Sequence, residues 1–165
     1  MIMRPRERGV TLVELVITIV IISVAIAGVV GAFSLIVGRS ADPLNQTRSV
    51  ALAQLYMDEI ITKKYDDDTS QGGAPQYDGP CTIGSETGET RANYDDVDDY
   101  DGVSDAPPAG ADGALTGYDG FAVEVAVACD GTAVNLADKD AKRIDLAITA
   151  PGDQNFSFSA YRANF

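Results

Sequence analysis

Histidine and tryptophan are absent from the 165 residues, and cysteine occurs only twice. Without histidine there is no imidazole acid or base, and most zinc sites lose their usual ligand. Positive charge is scarce: 12 Lys and Arg stand against 25 Asp and Glu, for a net charge of -13. Nucleic acid is a poor candidate partner, because phosphate binding needs a basic face. The basic cluster Lys139, Lys142 and Arg143 reads as a solvated turn. Paired carboxylates abound, but no nucleophile–base constellation accompanies them, so neither an enzyme nor a cofactor is expected. The length suits one domain plus a membrane element.

What the chain does have is a long apolar run near its start. From Leu15 to Val37 there is no charge. At about 1.5 Å per residue that segment makes a helix of roughly 34 Å, enough to cross a ~30 Å hydrocarbon core. Arg4, Arg6 and Arg8 precede it, so the positive-inside rule places the N-terminus in the cytoplasm and the remainder outside. In an oxidising compartment Cys81 and Cys129 are consistent with one disulfide, which would close a loop worth roughly 4 kcal/mol by chain entropy. The alternative is two unrelated thiols, one of them buried.

Glu14 is the single acid in the wider apolar stretch from Val10 to Val37. A cleaved secretory signal ending at Ala25-Ile26-Ala27 leaves ten apolar residues unexplained beyond the cut. An uncleaved anchor fits the length but gives Glu14 no role. A third reading has Gly9 end a basic leader that is removed on the cytoplasmic side. Val10 then supplies a new α-amino group, with Glu14 about one turn away. A carboxylate in the membrane costs about 3 kcal/mol or more and wants a partner of opposite sign. Between packed helices, Glu14 of one chain meeting the amine of its neighbour would fix their axial register.

"RGVTLVELV" resembles the prepilin cleavage and methylation motif, in which a leader peptidase cuts after glycine and methylates the new N-terminus. The resemblance implies cleavage between Gly9 and Val10, N-methylation of Val10, and an assembly role for Glu14 with Thr11 beside it. Val10 departs from the phenylalanine common in pilins. The resemblance further implies an α+β, pilin-like fold: a long N-terminal helix, its outer half packed on an antiparallel β-sheet, with a long disulfide-stapled loop between them. The expected organisation is a leader over 1–9, a transmembrane and assembly half over 10–38, and an extracytoplasmic head over 39–165. Within the head, helix is expected over 43–64, loop over 65–120 and sheet over 121–165. "YDDVDDYDGVSD", "SAYRANF" and "GAFSLIVGRSADP" look like the MshD-type minor pilins of the mannose-sensitive haemagglutinin pilus.

That likeness implies a minor subunit held in the bacterial inner membrane and later added to a type IV pilus or its initiating complex. Its partners would be other pilin and minor-pilin subunits, the prepilin peptidase and the inner-membrane assembly platform. A pseudopilin of type II secretion shares the same N-terminus, and a surface-binding module built on the acidic loop is a further reading.

In the head, "ADPLNQTRSVALAQLYMDEIITKKY" resumes helical spacing, with Leu44, Ala51, Leu52 and Leu55 on one side and Val50, Met57 and Ile61 adjoining. Asp42 suits the N-cap, Pro43 the first turn, and Lys63 and Lys64 the last turn. Tyr77, Tyr94, Tyr100 and Tyr118 are candidate anchors for the loop. Asp95, Asp96, Asp98, Asp99 and Asp101 invite a calcium hypothesis, with Asp96, Asp98 and Asp99 as candidates. The stretch fails the EF-hand pattern: counting back from Gly102 puts Val97 at the first ligand position, and no glutamate closes the loop. A solvated acidic surface is the preferred reading. "FAVEVAVAC" alternates as a strand, Asp130-Gly131 signals a two-residue hairpin with "TAVNL" returning, and "RIDLAIT" and "FSFSAYRANF" complete the sheet.

Overall fold

The computed structural model describes residues 9–39, 42–70 and 72–165, and for 35–39 and Asp42 the backbone alone. The arginines of the expected leader therefore lie outside the described residues. Two units are present, one reaching to Pro43 and one from Leu44 onward.

In the first unit, helix α1 runs Leu12–Arg39 and is apolar on every side. Leu12–Ser34 is long and apolar enough to cross a membrane, and none of it is buried within the chain. Its hydroxyls are satisfied internally: Thr18, Ser23 and Ser34 donate to the carbonyls of Glu14, Ile19 and Val30 at 2.6, 2.7 and 3.0 Å. Each is a four-residue back-bond, the arrangement a hydroxyl needs where lipid offers no acceptor.

The second unit begins with most of helix α2 (Asp42–Ile61). Its buried face carries Leu52, Ala53, Tyr56 and Ile60, continued by Asn45 and Ser49. The expected face differs: of Leu44, Ala51, Leu52 and Leu55, Leu52 alone is buried, while Leu44 and Leu55 are 53% and 40% exposed. The polar tips on the buried face explain the difference. Tyr56 Oη donates to Asp105 at 2.6 Å and accepts from the Ala109 N–H at 2.9 Å, and Asn45 donates to the Pro151 carbonyl at 3.1 Å. An aromatic ring with a partnered hydroxyl buries more surface than a leucine, and no period count over aliphatic residues sees it. The helix ends before Lys63 and Lys64, so neither lies in its last turn. The Lys64 backbone instead bridges in parallel to Asp96.

Six strands follow: β1 (Ser104–Asp105), β2 (Ala109–Gly110), β3 (Gly113–Ala114), β4 (Ala122–Cys129), β5 (Ala141–Ala150) and β6 (Gln154–Ala163). β1, β4, β5 and β6 form one antiparallel sheet in that order, and β2 pairs with β3 apart from it. Val125 lies opposite Leu146, and Leu146 opposite Phe158. Alternation puts Val123, Val125, Val127, Ile144, Leu146 and Ile148 inward, in one core with Leu52, Tyr56 and Ile60 of α2. A single antiparallel sheet with one apolar face needs a cover, and α2 provides it. The fold is α+β and pilin-like.

Asp130-Gly131 does not make a two-residue hairpin, and "TAVNL" is not a strand. Residues 131–134 and 138–140 form short 3-10 turns, and β5 starts at Ala141. The glycine serves close approach: a Cβ on Gly131 would lie 1.8 Å from the Ala137 carbonyl oxygen. The left-handed residue of the connection is Asn135, at φ 62°. Between β5 and β6, Gly152 and Asp153 take φ 83° and 57°, the turn that Pro151-Gly152-Asp153 suggests.

Between α2 and β4 the chain is held by discrete anchors. Cys81 and Cys129 form a disulfide with Cα atoms 6.3 Å apart, tying the loop to the end of β4. Tyr94 packs edge-on against the buried Tyr100 at 5.1 Å, and Tyr118 against Phe121 at 5.6 Å. The buried Asn164 amide exchanges two hydrogen bonds with the Tyr77 backbone, at 3.1 and 2.7 Å. Arg91 makes a bidentate pair with Glu59 (3.1 and 3.3 Å) while its guanidinium covers the Tyr56 and Tyr100 rings.

Candidate functional site

Two places carry more chemistry than packing needs. One is the start of α1. Gly9 and Val10 are exposed residues ahead of the helix, and Thr11 is its N-cap in position. Thr11 Oγ1 accepts the Glu14 N–H at 3.3 Å, and the Thr11 carbonyl accepts the Leu15 N–H at 3.1 Å. Thr11-Leu12-Val13-Glu14 has the spacing of a capping box, a signal legible in the sequence that the apolar reading of this segment passes over. The cap has a chemical consequence. Helix N-termini leave amide N–H groups unsatisfied, and a hydroxyl acceptor matters more where water is scarce. Thr11 thus starts the helix one residue after Val10, and Glu14 falls in the first turn, at the end of the dipole that favours negative charge. Glu14 is exposed, as is every described side chain of α1.

The other place is the aspartate run, and here the expectation of a solvated surface is overturned. Asp96, Asp98 and Asp99 are 1%, 2% and 1% exposed. Asp96 and Asp99 are buried because the backbone uses them, and Asp98 because Lys142 pairs with it. Asp96 Oδ1 accepts the N–H groups of Asp98 and Asp99 at 2.9 and 3.2 Å, and Asp99 Oδ2 accepts those of Asp95 and Asp96 at 2.8 and 3.1 Å. The solvated-turn reading of the basic cluster fails for Lys142, which is wholly buried. Its ammonium donates to Asp98 Oδ1, to the Tyr65 carbonyl at 2.7 Å and to Asp66 at 3.4 Å, and lies 4.7 Å from the Tyr65 ring centre. Lys142 sits opposite Cys129 in the β4–β5 register, so the ion pair and the disulfide fasten the loop at the same level of the sheet. Arg143 pairs with Asp130 and Asp145 at the surface, and Lys139 with Asp78 at 2.7 Å.

Charge in this loop is unevenly compensated. Burial pushes the Asp96 carboxyl up to about 8, and the neighbouring Asp98 and Asp99 charges add to the rise. Asp98 is also raised by burial, offset in part by Lys142. Asp101, by contrast, accepts the Val127 N–H at 2.9 Å and ties the end of the run to β4.

Residues 4–30 match the prokaryotic N-terminal methylation motif. No curated protein and no solved structure is significantly similar to the chain. The motif is that of type IV pilin-like precursors. It implies processing by a prepilin peptidase, assembly with other pilin-type subunits, a structural and not an enzymatic role, and membrane anchoring before entry into a fibre.

Proposed function

We propose that this chain, a type IV pilin-like precursor by its methylation motif and its fold, is a minor subunit. It is stored in the inner membrane with its head in the periplasm and is then drawn into a type IV pilus of the mannose-sensitive haemagglutinin class, or into that pilus's initiating complex. The observation that carries the reading is α1: a membrane-length helix, unburied over Leu12–Ser34, with one carboxylate in its first turn. An apolar surface of that size must be covered by lipid or by like helices. Cleavage after Gly9 would create the α-amino group of Val10, next to the Thr11 cap. Methylation keeps that amine basic, so Glu14 of an adjacent subunit would find a cation at the one depth where the pair is satisfied. Exposed Leu44 and Leu55 on α2 offer the head a second apolar contact within a fibre.

The test is the N-terminus and intact mass of the protein extracted from membranes of its host. A chain that starts at N-methylated Val10 supports the reading. A chain that starts at Met1, or at Gly28 after Ala25-Ile26-Ala27, sinks it. Recovery in sheared fibres supports the pilus; recovery only with a secretion complex makes the subunit a pseudopilin of type II secretion instead.

A further inference from the structure

The aspartate run holds more negative charge than its neighbours neutralise, and the excess is focused. Carboxylate oxygens of Asp95, Asp96 and Asp99 lie within 4.8 Å of one another. Glu86 and Glu89 converge on Asp99 in the same way, and Glu86 also converges on Asp96 and Asp98. Two lysines serve this group: Lys64 pairs with Asp95 at 2.7 Å, and Lys142 pairs with Asp98.

A second observation is independent of this clustering. Asp95 Oδ1, Asp96 Oδ2 and Asp99 Oδ1 are buried with no hydrogen-bond partner. They belong to the same three residues whose carboxylates converge. In Asp96 and Asp99 one oxygen is committed to two backbone N–H groups, which fixes the carboxylate and leaves the other oxygen without a donor. Buried carboxylate oxygens without a donor are costly, and proteins retain them where an ion or a proton completes the site.

We infer that Asp95, Asp96 and Asp99, closed by Glu86, form a calcium site in the head. The ligands are all hard oxygens, as a group-2 cation requires. Two oxygens on opposite sides of a calcium at 2.3–2.6 Å stand about 5 Å apart, so carboxylate oxygens within 4.8 Å of one another can share one ion. Magnesium fits less well: it keeps several of its waters and is held by one or two carboxylates, whereas four carboxylates are gathered here. Glu86 is exposed, so the ion has an entry path and the glutamate can close over it. The ion would lock residues 86–99 to the Lys64 segment and so rigidify the loop that the disulfide and Lys142 anchor from its other side. The inference does not depend on which fibre takes the subunit.

The experiment uses the full chain in detergent, stripped with a chelator and titrated with calcium chloride by calorimetry. Unfolding of the head is followed in parallel by the tyrosine signal in near-ultraviolet circular dichroism. One calcium per chain is expected, with a rise in unfolding midpoint of at least about 5 °C once calcium exceeds its Kd 100-fold. Asp99→Asn should weaken binding more than tenfold. Because that change also touches the loop's own hydrogen bonds, Glu86→Gln is the second variant. It should leave the calcium-free midpoint unchanged and weaken binding about tenfold. A folded wild-type chain with no saturable heat and no midpoint shift overturns the site, and so does calcium affinity unaltered by Glu86→Gln. An equal response to magnesium overturns it as well, because that marks general screening of negative charge.

Discussion

At the scale of single residues, Lys142 shows how far a side chain's role depends on what surrounds it. A lysine within a basic cluster reads as surface, yet this one is wholly enclosed by Asp98, Asp66 and the Tyr65 carbonyl and ring. Taking an ammonium out of water is repaid by opposite charge and hydrogen bonds only when both are in place, so removing one partner is worse than removing both. Lys142→Met, which keeps the stem, should cost about 3–5 kcal/mol in urea unfolding because it strands Asp98. Lys142→Met with Asp98→Asn should recover most of that loss. A double variant no more stable than the single one would show that the pair does not act as a unit. The same logic explains the buried aspartates. Asp96 and Asp99 each have one oxygen engaged by two backbone N–H groups, so they are structural acids as much as charged ones.

At the scale of elements, strands β4, β5 and β6 were legible because alternation of Val, Ile and Phe is a direct record of a half-buried sheet. The connection between β4 and β5 was not. Asp-Gly is the usual sign of a tight turn, but the glycine here answers a steric demand from a residue six positions later in the chain. Gly131→Ala should therefore cost about 1–3 kcal/mol, although Gly131 is not among the glycines with positive φ. Thermal unfolding measures this, and a variant within a few tenths of a kcal/mol of the parent would mean that the 131–137 segment yields easily. On α2 the period was right and the phase was not, because a count over aliphatic residues gives Asn45 and Tyr56 no weight, while their polar atoms have partners within the head. Leu44 and Leu55 are left exposed by the same rotation.

At the scale of the whole molecule, two units with different solvents share one chain. Among the described residues, the first has no buried side chains and the second has a closed core with a disulfide. On the proposed reading, membrane insertion depends on the apolar length of α1, whereas incorporation into a fibre depends on Glu14 having a partner. The two are therefore separable. Glu14→Ala should insert into the inner membrane at the parent level and be cleaved after Gly9, yet be reduced at least tenfold in sheared fibres. Immunoblots of the two fractions decide this, and parental recovery in fibres would remove Glu14 from assembly.

The sequence by itself determined the features that depend on neighbours along the chain. These are the membrane-length apolar run, the methylation motif with its glutamate, the capping box, the alternating strands and the α+β fold class. Each is written in a short window, because helix and strand periodicity and cap spacing are local properties of the backbone. Only the tertiary structure decided what depends on distant partners. It joined Cys81 to Cys129, enclosed Lys142 between Asp66 and Asp98, turned α2 onto Tyr56 and Asn45, and drew together Asp95, Asp96 and Asp99, each with one buried oxygen that has no hydrogen-bond partner. A charged side chain looks the same in sequence whether water or a buried counter-charge will satisfy it, and the fold alone chooses between them.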